Sequence, residues 1–182
     1  MKTLGPILAL GLASCTHGGQ GAQRTSSPPK GPFIGPLPDI EVQSLDGQTA
    51  RLRELTKGKV AVIDMWATWC TSCRDVTARA TELAKSESPE KLVVIGVDEG
   101  EEVKEVRAYL SGPGSAYPIY VDTAYDLANE IGSESVPTIL IVGRDGKVRG
   151  VTHKLDAKAV HLVGELLAEE DSPPAPAPPA SQ

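Results

Sequence analysis

Three apolar runs divide the middle of the chain. Val60-Ala61-Val62-Ile63-Asp64-Met65-Trp66, Leu92-Val93-Val94-Ile95-Gly96-Val97 and Thr138-Ile139-Leu140-Ile141-Val142 are short, near-continuous and rich in β-branched residues. Runs of that kind predict strands buried on both faces, as in a parallel or mixed sheet. Between them the apolar positions change period. Val76, Ala80, Leu83 and Ala84 recur at helical spacing and predict a helix over 71–85. Val103, Val106 and Leu110 predict another over 101–110, with acidic residues in its first turn.

The flanking segments extend the same alternation. Ile40, Val42 and Leu45, the Asp46-Gly47 turn signal and residues 48–52 predict an N-terminal hairpin. Residues 117–121 form a short strand, and 123–131 a helix with Ala124, Leu127, Ala128 and Ile131 inward and Gly132 as its stop. Arg144-Asp145-Gly146 turns the third buried strand into an antiparallel partner over 147–152. Asp156 then caps a last helix running to about residue 169, with Val160, Val163 and Leu167 inward. Strands alternating with helices make this an α/β domain, a central mixed sheet with helices on both faces.

The ends of the chain are of another kind. Met1-Lys2 followed by the apolar residues 4–13 has the length of a signal peptide and is too short for a bilayer span. Residues 15–36 are rich in Gly, Ser and Pro and predict a flexible tether, and residues 171–182 a proline-rich tail with no assigned function. The folded domain is expected over 37–170. A length of 182 residues and 40% hydrophobic content suit one such domain. The net charge of −6 argues against nucleic acid as a partner, because a phosphate backbone needs a basic face.

Candidate chemistry lies where the first buried strand meets the first helix. Cys70 and Cys73 form a Cys-x-x-Cys there. At a helix N-terminus the unpaired N–H groups and the macrodipole favour an anion, so Cys70 is expected as a stabilised thiolate and nucleophile. Cys73, one turn on, is expected to be less exposed and to resolve the mixed disulfide that Cys70 forms. A purely structural disulfide is the plainer alternative, but so short a loop stabilises weakly. Strand alternation puts Asp64 on one face with Val60, Val62 and Trp66, where a carboxylate is out of place. Buried there, its pKa would rise, and it could exchange the Cys73 proton through a water.

These residues resemble a known family. Trp66-Ala67-Thr68-Trp69-Cys70-Thr71-Ser72-Cys73, Asp64 six residues before Cys70, and Ser135-Val136-Pro137-Thr138 are similar to the thioredoxin fold, and more narrowly to the TlpA/ResA-type membrane-anchored thiol-disulfide oxidoreductases of the bacterial envelope. The resemblance covers about residues 33–169. It implies Cys70 as nucleophile, Cys73 as resolving thiol, Asp64 as buried acid, Pro137 as a cis-proline facing the pair, and Trp69 as the aromatic residue before the nucleophile. Val136, beside that proline, would pair with an extended substrate segment by strand addition. The helix and strand over 101–121 match an insertion expected of this type. Ser72 departs from it, since many relatives carry Pro there, so the redox potential does not transfer.

Leu12-Ala13-Ser14-Cys15 resembles a bacterial lipobox, which would make residues 1–14 a lipoprotein signal and Cys15 the lipidated N-terminus that anchors the domain outside the cytoplasm. Lipidation also accounts for the third cysteine, leaving one redox pair. The implied partners are protein disulfides or dithiols, a membrane electron donor and the membrane itself, with no cofactor. The expected activity is reduction of protein disulfides in the cell envelope, as in cytochrome c maturation, although Thr71-Ser72 by itself does not fix the direction of electron flow.

Other residues are weighed as bystanders. His17, His153 and His161 have no partner at metal-ligand spacing, so no metal is expected and they are taken as surface or core histidines. Arg74 is read as a solvated charge, and Glu99, Glu101, Glu102 and Glu105 as a solvated helix face. Two rivals use the same fold. A SCO-type copper chaperone has a longer cysteine spacing and a histidine near Ser135-Val136. A thiol peroxidase needs Thr where Ala67 stands.

Overall fold

The computed structural model describes residues 33–169. The strand Val60–Trp66, here β4, is buried at every position and forms the middle of an eight-stranded sheet. In chain order the other strands are β1 (Gly35–Pro36), β2 (Glu41–Ser44), β3 (Thr49–Arg51), β5 (Leu92–Glu99), β6 (Ile119–Asp122), β7 (Thr138–Val142) and β8 (Lys147–Thr152). The helices are α1 (Leu52–Thr56), α2 (Cys73–Ser86), α3 (Val103–Leu110), α4 (Asp126–Ile131) and α5 (Ala157–Ala168). Across the sheet the order is β1-β8-β7-β4-β5-β6-β2-β3. β5 lies parallel to β4, β6 parallel to β5, and β7 antiparallel to β4.

Both faces of β4 are covered, which explains its unbroken apolar run. Val60, Val62 and Trp66 pack with Val76 and Ala80 of α2, Val106 of α3 and Val163 and Leu166 of α5. Ala61, Ile63 and Met65 pack on the other face with Leu52 of α1, Leu127 and Ile131 of α4, and Leu37, Ile40 and Val42. Each large side chain buried in this way contributes about 1.5–3 kcal/mol. The expected mixed sheet with helices on both faces is therefore present.

Several boundaries move for local reasons. Helix α2 begins at Cys73, not 71, because Thr71 and Ser72 are spent in turns that bring Cys73 N–H to Cys70 O and Arg74 N–H to Thr71 O. α4 begins at Asp126, not 123, because Tyr125 takes a left-handed conformation (φ 57°). α3 begins at Val103, where Glu102 and Glu105 form a reciprocal capping box. Helix α1 follows the hairpin directly and was not expected; five residues are too few to show a period.

Residues 35–36 fall in the segment expected as tether, yet Gly35 pairs with Val148 and Pro36 with Lys147. Proline is tolerated there because β1 is an edge strand. β1 and β2 stand six places apart, about 29 Å in a flat sheet. Only residues 37–40 join them, and the step from Pro36 to Glu41 spans at most about 18 Å. The sheet must curl around the core that Leu37 and Ile40 enter. The proposed signal, Cys15 and residues 171–182 lie outside the described residues. Among the described residues no helix is long and apolar enough to cross a membrane.

Candidate active site

At the carboxyl end of β4 the chain turns through Ala67-Thr68-Trp69 into a Cys70–Cys73 disulfide, with a Cα–Cα distance of 5.4 Å. Cys70 is 7% exposed and Cys73 2%, the order expected of an attacking and a resolving thiol. Cys70 Sγ accepts from the Cys73 N–H at 3.2 Å and lies 3.6 Å from Ser72 Oγ. Although the helix starts later than expected, its first N–H still faces the Cys70 sulfur. A thiolate formed there would gain from both contacts and from the helix dipole.

Asp64 is fully buried on the face of β4 that carries Val60, Val62 and Trp66. Its Oδ2 accepts from Tyr117 Oη at 2.9 Å and from Thr77 Oγ1 at 3.4 Å, while its buried Oδ1 has no partner. Burial pushes its pKa up to about 6, against the pull of those two hydroxyls. Thr77 is one helical turn beyond Cys73, and Thr77, Tyr117, Cys70 and Cys73 line one cavity of about 430 Å³. The carboxyl therefore lies against the wall that carries the resolving thiol.

The neighbouring strand makes room for this arrangement. Gly96 stands opposite Asp64 in the parallel register. A Cβ at Gly96 would come within 2.4 Å of Ile119 Cδ1 and 3.2 Å of the Tyr117 ring. Only glycine lets Tyr117 lie across β5 and reach the carboxyl.

Trp69 is 68% exposed beside Cys70. The Val136–Pro137 peptide is cis, as the resemblance implied. Its carbonyl neighbour, Pro137 O, lies 2.8 Å from His153 Nδ1, and Thr138 Oγ1 lies 3.3 Å from the same nitrogen. His153 is thus tied to the proline loop. Arg74 is exposed and lines the same cavity as the cysteines.

The acidic run does not form one solvated face. Glu101 Oε2 accepts from Thr68 N–H and its Oε1 from Thr68 Oγ1, each at 2.6 Å, so a residue two places past β5 clamps the loop that carries Trp69 and Cys70. Asp98 and Glu99 are buried, Asp98 against Glu101 and Glu99 with neither oxygen hydrogen-bonded. Burial first, then neighbouring acids, push both to about 8. Only Glu102 and Glu105 stay on the helix surface.

Tyr117, Glu101 and His153 are the site residues that sequence reasoning missed. Tyr117 looked like the first residue of a strand, and Glu101 like one charge among several. Their partners are 53 and 33 residues away, so no local pattern shows the contact. A tyrosine hydroxyl among apolar neighbours, given an expected buried Asp64, was the one usable signal. Among the described residues no group of three or more His, Cys, Asp or Glu is placed to hold a metal ion.

Residues 35–151 match the model of the AhpC/TSA family. The thiol-disulfide oxidoreductase ResA of Bacillus anthracis is 27% identical over 111 residues, which are 61% of this chain and 64% of that one. The chain thus spans just under two thirds of the length of that curated relative. The thioredoxin-like protein YneN of Bacillus subtilis is 29% identical over 117 residues, 63% of this chain and 67% of that one. Among solved structures, the exposed lipoprotein thioredoxin Etrx1 of Streptococcus pneumoniae superposes with a TM-score of 0.61 at 26% identity, covering 70% of this chain and 99% of that one. The fold is thioredoxin-like.

Proposed function

The chain belongs to the AhpC/TSA family, and on that premise we propose that it is a thiol-disulfide oxidoreductase that reduces protein disulfides in the cell envelope. The observation that carries this reading is the buried Cys70–Cys73 disulfide, preceded by exposed Trp69 and sharing its cavity with Tyr117 and Thr77, the two hydroxyls that hold the buried Asp64 carboxyl. The ResA relatives, by name thiol-disulfide oxidoreductases, support it.

The electrons balance as follows. In the dithiol form the Cys70 thiolate attacks one sulfur of a substrate disulfide, and the other leaves as a thiolate that takes up a proton. Asp64 accepts the Cys73 proton through a water. The Cys73 thiolate then attacks Cys70 Sγ, forming the Cys70–Cys73 bond and releasing the second substrate sulfur. Two electrons pass to the substrate, and a membrane electron donor returns two to the protein. Trp69, Val136 and Pro137 form the substrate groove, and Val136 offers its backbone to an extended segment.

The anchored address follows from residues 1–14 as a lipoprotein signal and Cys15 as the lipidated residue. Etrx1, by name an exposed lipoprotein thioredoxin, supports it. Apocytochrome c is one substrate of the kind such a reductant serves. The reduction potential of Cys70–Cys73 tests the direction. A value near or below thioredoxin's, about −270 mV, fits a reductant, and one near about −120 mV, the potential of DsbA, would make the protein an oxidant or isomerase.

A second reading on the same fold is a thiol peroxidase. Ala67 opposes it, since no hydroxyl stands three residues before Cys70 to orient a peroxide. Rapid consumption of hydrogen peroxide would restore that reading. Stoichiometric Cu(I) binding without disulfide reduction would favour the copper chaperone.

A further inference from the structure

Met65 and Trp66 point to opposite faces of β4; Trp66 lines the cysteine-lined cavity, and Met65 a second one of about 400 Å³. Met65, Trp69, Glu99, Tyr125, Glu134 and Val136 line it. Trp69, the neighbour of Cys70, and Val136, the neighbour of cis-Pro137, both line it. Tyr125 forms one wall, in a left-handed conformation that sets its ring on Gly100. A Cβ at Gly100 would fall 1.9 Å from the Tyr125 ring.

Glu99 is 3% exposed, and neither carboxylate oxygen has a hydrogen-bond partner. A buried polar group left unpaired is costly, so its occupant matters. No Lys, Arg or His lines the cavity. Asp98, Asp122 and Asp126 lie close enough to disfavour a second negative charge at Glu99, and Asp122 already accepts from Leu127 N–H. Glu134 adds another carboxylate to the lining. An apolar occupant would leave Glu99 unpaired, and an anionic one would be repelled. Two lining acids are too few for a metal cage, in line with the absence of such a group among the described residues.

We propose that this cavity is a subsite for a lysine or arginine side chain of the protein substrate, one or two residues from the cysteine that Cys70 attacks, with Glu99 as the residue that selects it. The proposal rests on the reading that Cys70 attacks a protein disulfide. An extended segment lying beside Val136 with its cysteine at Cys70 directs a nearby side chain past Trp69. Glu99 holds a proton while the cavity is empty and releases it to solvent as the cation enters, and the cation then supplies the donors that the buried carboxylate lacks.

The test uses synthetic peptides with one internal disulfide and either lysine or its uncharged isostere norleucine beside the attacked cysteine. Single-turnover reduction by the dithiol protein is followed by tryptophan fluorescence at 0.15 M salt. The lysine peptide should react about tenfold faster than the norleucine peptide, the size expected for one charge-assisted hydrogen bond. The ratio should fall to about one in Glu99→Gln and in Glu99→Leu. It should persist in Glu130→Gln, which removes an exposed charge of α4 outside the cavity. A ratio of one in the unaltered protein overturns the subsite, and so does a ratio that survives both Glu99 variants. Equal loss in Glu130→Gln would reassign the preference to the overall negative charge. Failure to reduce any peptide overturns the reductant reading and the subsite with it, whereas reduction of all at one rate overturns the subsite alone.

Discussion

The Tyr117 hydroxyl donates to Asp64 Oδ2 at 2.9 Å, joining a residue just before β6 to the middle of β4. That bond favours the charged carboxylate and partly offsets the burial that raises its pKa to about 6. Tyr117→Phe should move the Asp64 pKa further up, by about one unit, the equivalent of about 1.4 kcal/mol. The carboxyl titration followed by NMR or infrared difference spectroscopy reads the shift directly; no upward movement would mean that the bond does not bear on the charge.

Asp64→Asn keeps the shape and removes the proton acceptor. The step in which Cys73 resolves the mixed disulfide should slow by about 10²-fold or more near pH 7, the scale of general acid-base assistance. The first attack by Cys70 should be much less affected. Stopped-flow kinetics that separate the two phases check this, and equal slowing of both would remove Asp64 from its assigned role.

Asp64, Asp98 and Glu99 all have pKa values raised in the folded protein, to about 6, 8 and 8. Between the unfolded values near 4 and these, the native state binds more protons than the unfolded one. Stability must therefore fall as pH rises from about 4 to about 8. Urea midpoints at pH 5 and pH 8 should show it, with the lower midpoint at pH 8. Asp64→Asn should remove only its own share, about a third, of the fall between pH 4 and 6, and leave the fall between pH 6 and 8 unchanged.

The Glu101 clamp on Thr68 holds the loop before the cysteines to the end of β5. Glu101→Ala should cost about 2 kcal/mol, because the Thr68 N–H and hydroxyl both lose a charged partner in a half-buried site. Denaturant unfolding gives the loss, and hydrogen exchange at the Thr68 amide should accelerate.

Cys70→Ser should abolish turnover, whereas Cys73→Ser should retain attack and accumulate mixed disulfides, visible by non-reducing electrophoresis. Turnover in the Cys70 variant would sink the assignment. Ser72→Ala removes the hydroxyl 3.6 Å from Cys70 Sγ and should raise the thiol's pKa by about half a unit.

The central strands were legible because both faces are covered, so their sequence is apolar throughout; β7 and β8 begin and end where the pattern puts them. The cysteines and Asp64 were legible for a related reason, as polar or reactive groups in places where apolar ones belong. What stayed hidden depends on pairs distant in the chain. Glu101 and Glu102 are adjacent and alike in sequence, yet one clamps a loop and the other caps a helix. Glu99 belongs to a strand, and counting it with the helix that follows made a buried acid look solvated. Tyr125 displaced the start of α4 through a backbone conformation that its side chain does not advertise.

The edge strand β1 also fixes how the molecule is held. Phe33 lines one cavity with Ser135, Thr138 and His153, at the rim that carries cis-Pro137, and from there the chain descends along β8 until Leu37 meets Gly146 at the far end. The polypeptide thus joins the fold on its reactive side. An attachment made through the residues before Phe33 would draw that rim toward the attaching surface, and substrates would be met in the gap between the two, approaching edge-on along it instead of from the open side.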